Sequence, residues 1–457
     1  MEKSYDVIVV GAGTAGTYFA KLMAARGYKV LVAEKAAKEN LGQRLDIFHI
    51  DEELFEEFDV PVPSATDEDY VGVFKYAISK SAFDQYPKRT DYPFVVMHLP
   101  LFLARLARWA EGFGVEYAYE TEFVDFVYSR GRIEGAKLRQ GGNIHEVSSR
   151  LVADASGISS EVRRKLGDGY GVENFEIGPD SKFYVILRYV KLKNPETDRV
   201  DITTNWPFYK TWIAPQHDPD GAIIGVGANF SFEYAEEIYQ KFTARVELPP
   251  HELQYFEKGT TPYRRPPYSF VADGFVVLGD SACLTKPYSG EGITAAWVLC
   301  KIAAEEFSNA MRDGRYPDTG SVWNTNVRYQ RGQGAKFAYI MATLIGAVNG
   351  TAEENHYQFK KGIVFNEKDM TDMNRDFGVN LGIGSIISLV LKIIGGVLTR
   401  NISLHTLKEL IRAVLVADKL QKHYEKFPAD ISAYETWKRK AEALWASAGS
   451  MADTAKH

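Results

Sequence analysis

"YDVIVVGAGTAGTYFA", residues 5–20, decides the fold. Tyr5–Val10 is an apolar, β-branched run of the length of a buried strand, and Gly11, Gly13 and Gly16 punctuate its exit into a helix. Gly11 permits the tight bend, Gly13 lets a pyrophosphate approach the backbone, and Gly16 lets helix pack on strand. The helix N-terminus adds free N–H groups and a partial positive charge. Such a turn alone is weak evidence, but "KVLVAEK" (29–35) follows at the βαβ distance. It delivers Glu34, a carboxylate that can bind both ribose hydroxyls and would repel a 2′-phosphate. The unit predicts an α/β dinucleotide-binding domain.

Around that unit, 457 residues with 45% hydrophobic content can bury a large core in two or three domains. A net charge of −6, with no long Lys/Arg stripe, argues against nucleic acid as a partner. Two cysteines, Cys283 and Cys300, without a C-x-x-C and with scattered histidines, suggest neither a disulfide scaffold nor a metal site. The sparse cysteines fit a reducing cytoplasm, and the chain opens directly on its first strand, so no secretory signal is expected. The apolar stretch "LGIGSIISLVLKIIGGVLT" (381–399) carries four glycines, two serines and Lys392, a poor membrane span. It is expected to form a helix pair in a core or an apolar patch exposed to lipid.

Further along, "GQRLDIFHIDEELFEEFDVPVP" (42–63) reads as a loop, then a short helix stopped by two prolines. "YVGVFKYAIS" and "YPFVVM" read as strands, and "LPLFLARLARWAEGFGVEYAY" (99–119) as an amphipathic helix running into a strand. "TEFVDFVYSRGRIEGAKLR" (121–139) reads as two strands with a Gly turn at 130–132. "KFYVILRYVKL", "TWIAPQ" and "AIIGVGANF" make residues 168–261 a sheet that interrupts the nucleotide domain. That domain resumes in "GFVVLGDSACLTKPYSGEGITAAWVLCKIAAEEF" (274–307), and helices dominate beyond about residue 345. On the helical face Ile293, Trp297, Cys300, Ala304, Phe307, Cys300 reads as core, and Cys283 as a small buried residue.

The segment around Gly279-Asp280 joins a carboxylate at a strand end, small residues that admit a flat ring, and a helix N-terminus able to support an anion. A reduced flavin carries such an anion on its pyrimidine edge. With "LVADASGISSEVRR" (151–164) and "LGDSACLTKPYSGEGI" (278–293), the chain resembles flavoproteins of the p-hydroxybenzoate hydroxylase fold. The aromatic hydroxylases usually place a His where this chain has Cys283. The G-E-G-I ending at Ile293, "VWNTNVRYQRGQGAK" (322–336) and "YEKFPADISAYETWKRKAE" (424–442) are similar to the geranylgeranyl reductase family, its archaeal digeranylgeranylglycerophospholipid reductases above all.

The resemblance implies a Rossmann-like FAD-binding domain from 1–70, 97–167 and 262–345. A β-rich substrate domain would come from 71–96 and 168–261, and a helical C-terminal domain from 346–457. It implies FAD contacts from Gly11, Ala12, Gly13, Thr14, Ala15 and Gly16, with Glu34 and Lys35 at the ribose. Arg44, Leu45, Arg105 and Val124 would follow, then Asp154 and Gly157, then Gly279, Asp280, Pro287, Gly290, Glu291, Gly292 and Ile293. For Arg44 and Arg105 a surface salt bridge is an equal alternative. The activity implied is reduction of isolated C=C bonds in a prenylated lipid or quinone. One dinucleotide fingerprint is present, so the electron donor is external: NAD(P)H, ferredoxin or another. Peripheral contact with the inner face of a membrane would suit a lipid substrate.

Two departures stand out. The family often carries a Cys in the loop after the ribose-binding acid; the nearest polar counterpart here is Asp46, with His49 and Tyr288 as rival proton donors. The archaeal Tyr-x-Trp-x-Phe-Pro wall reads "WPFYKTWIAP" (206–215), keeping Trp212 and Pro215 while Lys210 and Ala214 replace the Tyr and Phe. Trp206 and Tyr209 keep the neighbourhood aromatic, as substrate contacts or as ordinary core. These changes leave room for a flavin monooxygenase or dehydrogenase acting on a smaller apolar molecule, and for a non-catalytic lipid carrier.

Overall fold

The computed structural model describes residues 2–42, 47–197, 203–206, 210–216, 218–347, 350–363 and 383–449. A six-stranded sheet is built from β1 (Val7–Val10), β2 (Val30–Ala33), β6 (Glu116–Ala118), β10 (Leu151–Asp154), β16 (Val271–Ala272) and β17 (Phe275–Val277). Its order is β16-β17-β10-β1-β2-β6, parallel except at β16. Strands β1, β2 and β10 are buried at every position, as strands covered on both faces must be, which is why they read as unbroken apolar runs. Val10 pairs with Ala33 and with Asp154, and Asp154 with Val277. Four strands therefore end at one level, and the chain leaves that edge at Gly11, Glu34, Ala155 and Leu278, the edge where open α/β sheets bind ligands. Helices α1 (Thr14–Ala24), α3 (Leu99–Glu111) and α5 (Ile293–Ala310) cover the sheet. Trp297 of α5 donates its indole N–H to the Thr14 carbonyl at 3.1 Å.

An eight-stranded sheet runs β15-β11-β14-β13-β12-β4-β5-β3. Its strands are β3 (Ile47–Asp51), β4 (Tyr70–Ser81), β5 (Lys88–His98), β11 (Lys182–Leu192), β12 (Thr203–Trp206), β13 (Lys210–Pro215), β14 (Gly221–Asn229) and β15 (His251–Pro262). Along β11, Ile186 and Val190 pack toward α4 (Phe232–Thr243), while Val185, Leu187 and Tyr189 form the opposite face with Ile223 and Trp212. β7 (Thr121–Ser129), β8 (Arg132–Gln140) and β9 (Asn143–Ser148) form a third, small sheet, with the first turn at Arg130–Gly131.

The stretch before Asp51 is not the expected loop within the nucleotide domain: β3 pairs antiparallel with β5, Ile47 opposite His98, as an edge of the large sheet. Phe48, Ile50 and their polar alternates His49 and Asp51 have the period of a strand, and the polar alternates line a cavity. The short helix that follows is α2 (Glu52–Glu57).

Beyond α6 (Thr319–Val322) and α7 (Asn324–Tyr329), the C-terminal helices are α8 (Ala335–Ala347), α9 (Ala352–Lys361), α10 (Ile383–Leu398), α11 (Leu404–Tyr424) and α12 (Tyr434–Ala448). One carboxylate, Glu354, accepts from Thr351 N, Ser403 N and the Thr406 hydroxyl, joining the N-termini of α9 and α11. Aromatic packing of Trp437 on Tyr268 and of Phe427 on Trp323 fastens this region to the rest. Residues 383–398 form one helix rather than a pair, and no helix among the described residues is long and apolar enough to cross a membrane.

Candidate active site

At the glycine turn, Gly11 has φ +107°, and a Cβ there would stand 2.2 Å from the Ala155 carbonyl oxygen. A Cβ on Gly16 would stand 2.1 Å from the Gly11 oxygen. Both glycines are demanded by the fold itself. Gly13 differs: a Cβ would meet nothing within 4 Å, and no side chain caps α1. The N–H groups of its first turn face open space, as a pyrophosphate requires. Glu34 Oε2 accepts from Ala12 N and Oε1 from Ala36 N, both at 2.8 Å, which fixes the carboxylate beside the turn with lone pairs to spare. These residues fit an adenine dinucleotide.

A cavity of about 510 Å³ extends from this turn to the large sheet. It gathers Gly13, Thr14 and Ala15, then Gly157, then Gly279, Asp280, Gly290, Glu291, Gly292 and Ile293 from the third segment. His49, Tyr288, Trp212 and Pro215 share it, so three cofactor segments, two named proton donors and two wall residues meet in one space. Its far wall is apolar, with Phe94, Phe183, Leu187 and Ile223.

Other expected residues stand elsewhere. Asp154 is fully buried and accepts from Ser156 N and Oγ, Arg163 N and the Ser281 hydroxyl. In the structure it clasps the second segment to the third, with three of these bonds on Oδ1 and one on Oδ2. Arg105 is engaged by Asp69, its Nε lying 3.0 and 2.9 Å from the two carboxylate oxygens, and its Nη1 donates to the Pro61 carbonyl. That is the salt-bridge alternative, in a buried form. Lys35 pairs with Glu161 at 2.7 Å, Val124 is half-buried on β7, and Pro287 is buried in its loop. Arg44, Leu45, Asp46 and Tyr209 lie outside the described residues, and Trp206 is described only as the end of β12.

The cavity also gathers a cluster of charged groups, some of them expected from the motifs and some not. Burial pulls the Glu291 carboxyl upward, but Lys286 at 2.9 Å, His49 at 3.2 Å and Lys210 outweigh it and hold the group well below the usual carboxylate range. Lys210, at the altered wall position, donates to the Ser289 carbonyl, and burial pushes its ammonium down. Burial raises Asp280 to about 6; it raises Asp51 likewise to about 6, against the opposing pull of Lys286. Cys283 is buried and its thiol is pushed up to about 12, chiefly by desolvation, which makes it a poor redox centre. Asp51, Lys210 and Lys286 are far apart in sequence, and only Lys210 stood out there, as a departure from the aromatic wall.

Comparison with known proteins places this arrangement. Residues 4–205 match the family described as FAD binding domain. The digeranylgeranylglycerophospholipid reductase of Sulfolobus acidocaldarius is 23% identical over 462 residues, covering 96% of this chain and 97% of the relative. That of Methanospirillum hungatei is 26% identical over 323 residues, 69% of this chain and 78% of the relative. Among solved structures, a geranylgeranyl bacteriochlorophyll reductase-like protein from Thermoplasma acidophilum superposes with a TM-score of 0.63 at 17% identity, over 90% of this chain and 99% of that one. The flavin-dependent brominase Bmp2 also gives 0.63 at 17% identity, over 86% and 98%. The chain is an FAD-dependent oxidoreductase of the p-hydroxybenzoate hydroxylase-like fold. Within that class it is similar, over two thirds or more of its length, to relatives named digeranylgeranylglycerophospholipid reductases.

Proposed function

We propose that the protein hydrogenates isolated C=C bonds of a prenylated, geranylgeranyl-type lipid or quinone, taking electrons from an external donor. The observation that carries this reading is the single cavity that begins at the glycine turn and the 279–293 loop and ends on an aliphatic and aromatic wall. Bound FAD supplies a hydride when reduced. The chain's own part is to hold it, to orient the alkene and to provide a proton. Gly13 and the open first turn of α1 would take the pyrophosphate, and Glu34 the ribose. Gly290–Ile293 would lie along the pyrimidine edge, where the N-terminus of α5 favours an anion. Trp212 and Pro215, with Phe94, Phe183 and Leu187, would exclude water from the prenyl chain. Tyr288 and the His49–Glu291 pair stand at the polar end, where a proton must enter.

The same reading includes peripheral contact with an anionic lipid surface through α10 and α11. Leu391 is 64% exposed, Leu398 79% and Leu404 64%, and residues 377–408 include Lys392, Arg400 and Lys408 but no acid.

Reoxidation tests the chemistry. Holoenzyme reduced anaerobically should be reoxidised by a geranylgeranyl lipid without oxygen, with the saturated product seen by mass spectrometry. Flavin that stays reduced with several prenyl substrates, yet gives an oxygenated product from a small apolar molecule in air, would select the monooxygenase reading instead.

A further inference from the structure

We propose that Asp51 delivers the proton to the alkene; this rests on the reductase reading above. Asp51 ends β3 and occupies the N-cap position of α2, where an aspartate ordinarily accepts a hydrogen bond from the first turn of the helix. It makes no such bond. Its side chain is instead part of the cavity wall, with the residue only 7% exposed.

The groups around it suit an acid that must both hold and release a proton. Phe94 stands opposite Asp51 on β5, and Leu54 of α2 and Val96 line the same cavity. The charged groups that act on it are His49 from its own strand, Glu53 from α2, and Lys286 and Glu291 from the flavin-side loop. Burial and Glu291 favour the neutral acid, while Lys286 and His49 favour the anion, and the balance stands at about 6. That is close enough to neutrality for a general acid to be loaded before the reaction and stable after it. His49 is the weaker candidate, because its ring already faces the Glu291 carboxylate at 3.2 Å. Lys210 directs its ammonium to the Ser289 carbonyl.

The step balances without another reactant. Reduction adds a hydride, with its electron pair, to one alkene carbon. The other carbon uses the π pair to form a C–H bond to the proton of Asp51 as the O–H bond breaks. The alkene is reduced by two electrons, the dihydroflavin of the holoenzyme is oxidised by two, and Asp51 is left as a carboxylate beside Lys286. His49, whose side chain is 28% exposed, connects this end of the cavity to solvent for reprotonation.

Two readouts test this. In anaerobic stopped flow, reoxidation of reduced holoenzyme by a geranylgeranyl lipid should slow as pH rises through about 6. Asp51→Asn, loaded with FAD to the wild-type absorbance ratio, should lose about 10²–10⁴-fold in rate together with that pH dependence. Asp51→Glu should recover part of the rate with a displaced profile. Separately, infrared difference spectra of substrate-free holoenzyme between pH 5 and pH 8 should contain a protonated-carboxyl band that Asp51→Asn removes. An Asn variant with full FAD, wild-type rate and an unchanged pH profile would overturn the proposal. If no lipid reoxidises even the wild type, the reductase reading fails, and the infrared titration alone decides for Asp51: a band lost in the Asn variant upholds it as the cavity's acid, and an unchanged spectrum overturns it.

Discussion

Gly11 and Gly13 are two residues apart and do different work. A methyl group on Gly11 would meet the Ala155 carbonyl at 2.2 Å, in backbone of positive φ, whereas one on Gly13 would enter open space. Gly11→Ala should therefore destabilise the protein with or without flavin, by more than about 2 kcal/mol in denaturant unfolding. Gly13→Ala should cost the flavin-free protein less than about 1 kcal/mol. Its FAD dissociation constant, followed by flavin fluorescence, should nonetheless rise at least ~10-fold, because the added methyl stands where the pyrophosphate must come closest. Unchanged affinity in Gly13→Ala would remove the phosphate from this turn. The G-x-G-x-x-G pattern was legible in sequence because each glycine answers a steric demand. The direction in which a strand-end carboxylate turns answers to none. Asp154 closes β10 and Asp280 follows β17 by three residues, yet the first accepts four protein hydrogen bonds and the second lines the cavity.

Between elements, the same ambiguity governs Arg105. Its position on α3 suits a phosphate as well as a salt bridge, and only the fold brings Asp69, just before β4, within 2.9 Å. The pair anchors α3 to the strands that wall the cavity, and Asp69 is almost wholly inaccessible. Asp69→Asn or Arg105→Met should destabilise by about 3–5 kcal/mol, since each leaves a buried charge without its counter-ion. Flavin affinity at a temperature where the variants are folded should stay within ~2-fold of wild type. A collapse of affinity with stability intact would return Arg105 to the cofactor. Local pattern revealed most of the elements, because buried parallel strands, amphipathic helices and glycine turns have their own periods. β3 escaped it, since five residues with polar alternates resemble a loop unless one knows that those alternates face a cavity. The cluster of His49, Asp51, Lys210, Lys286 and Glu291 escaped for a related reason. Its members span some 240 positions and meet only when the large sheet closes over the flavin-side loop.

For the whole molecule, charge and apolar exposure are unevenly distributed. The chain carries a net charge of −6, yet residues 377–408 contain no acid and three basic residues. The helices on either side of that stretch's turn expose Leu391, Leu398, Leu404, Ile411 and Leu415. α9 links this surface to the large sheet: α10 packs near Tyr357 of α9, and the His356 ring of α9 meets the Ser81 hydroxyl at 2.9 Å on β4, the strand whose Ala77 and Ser79 line the cavity. An apolar ridge with basic flanks should partition to anionic vesicles by burying its leucines, aided by Lys392, Arg400 and Lys408. Holoenzyme should cosediment with vesicles rich in phosphatidylglycerol, less with pure phosphatidylcholine, and less again at 0.5 M salt as the electrostatic share is screened. Replacing Leu391, Leu398 and Leu404 together by serine removes about 2 kcal/mol or more of apolar burial and should weaken the anionic-vesicle partition at least ~10-fold. The triple variant should keep its flavin absorbance spectrum, and reoxidation by a detergent-dispersed geranylgeranyl lipid should proceed at the wild-type rate while reoxidation by the same lipid in vesicles slows. Equal sedimentation of the triple variant and the wild type would detach the ridge from lipid access.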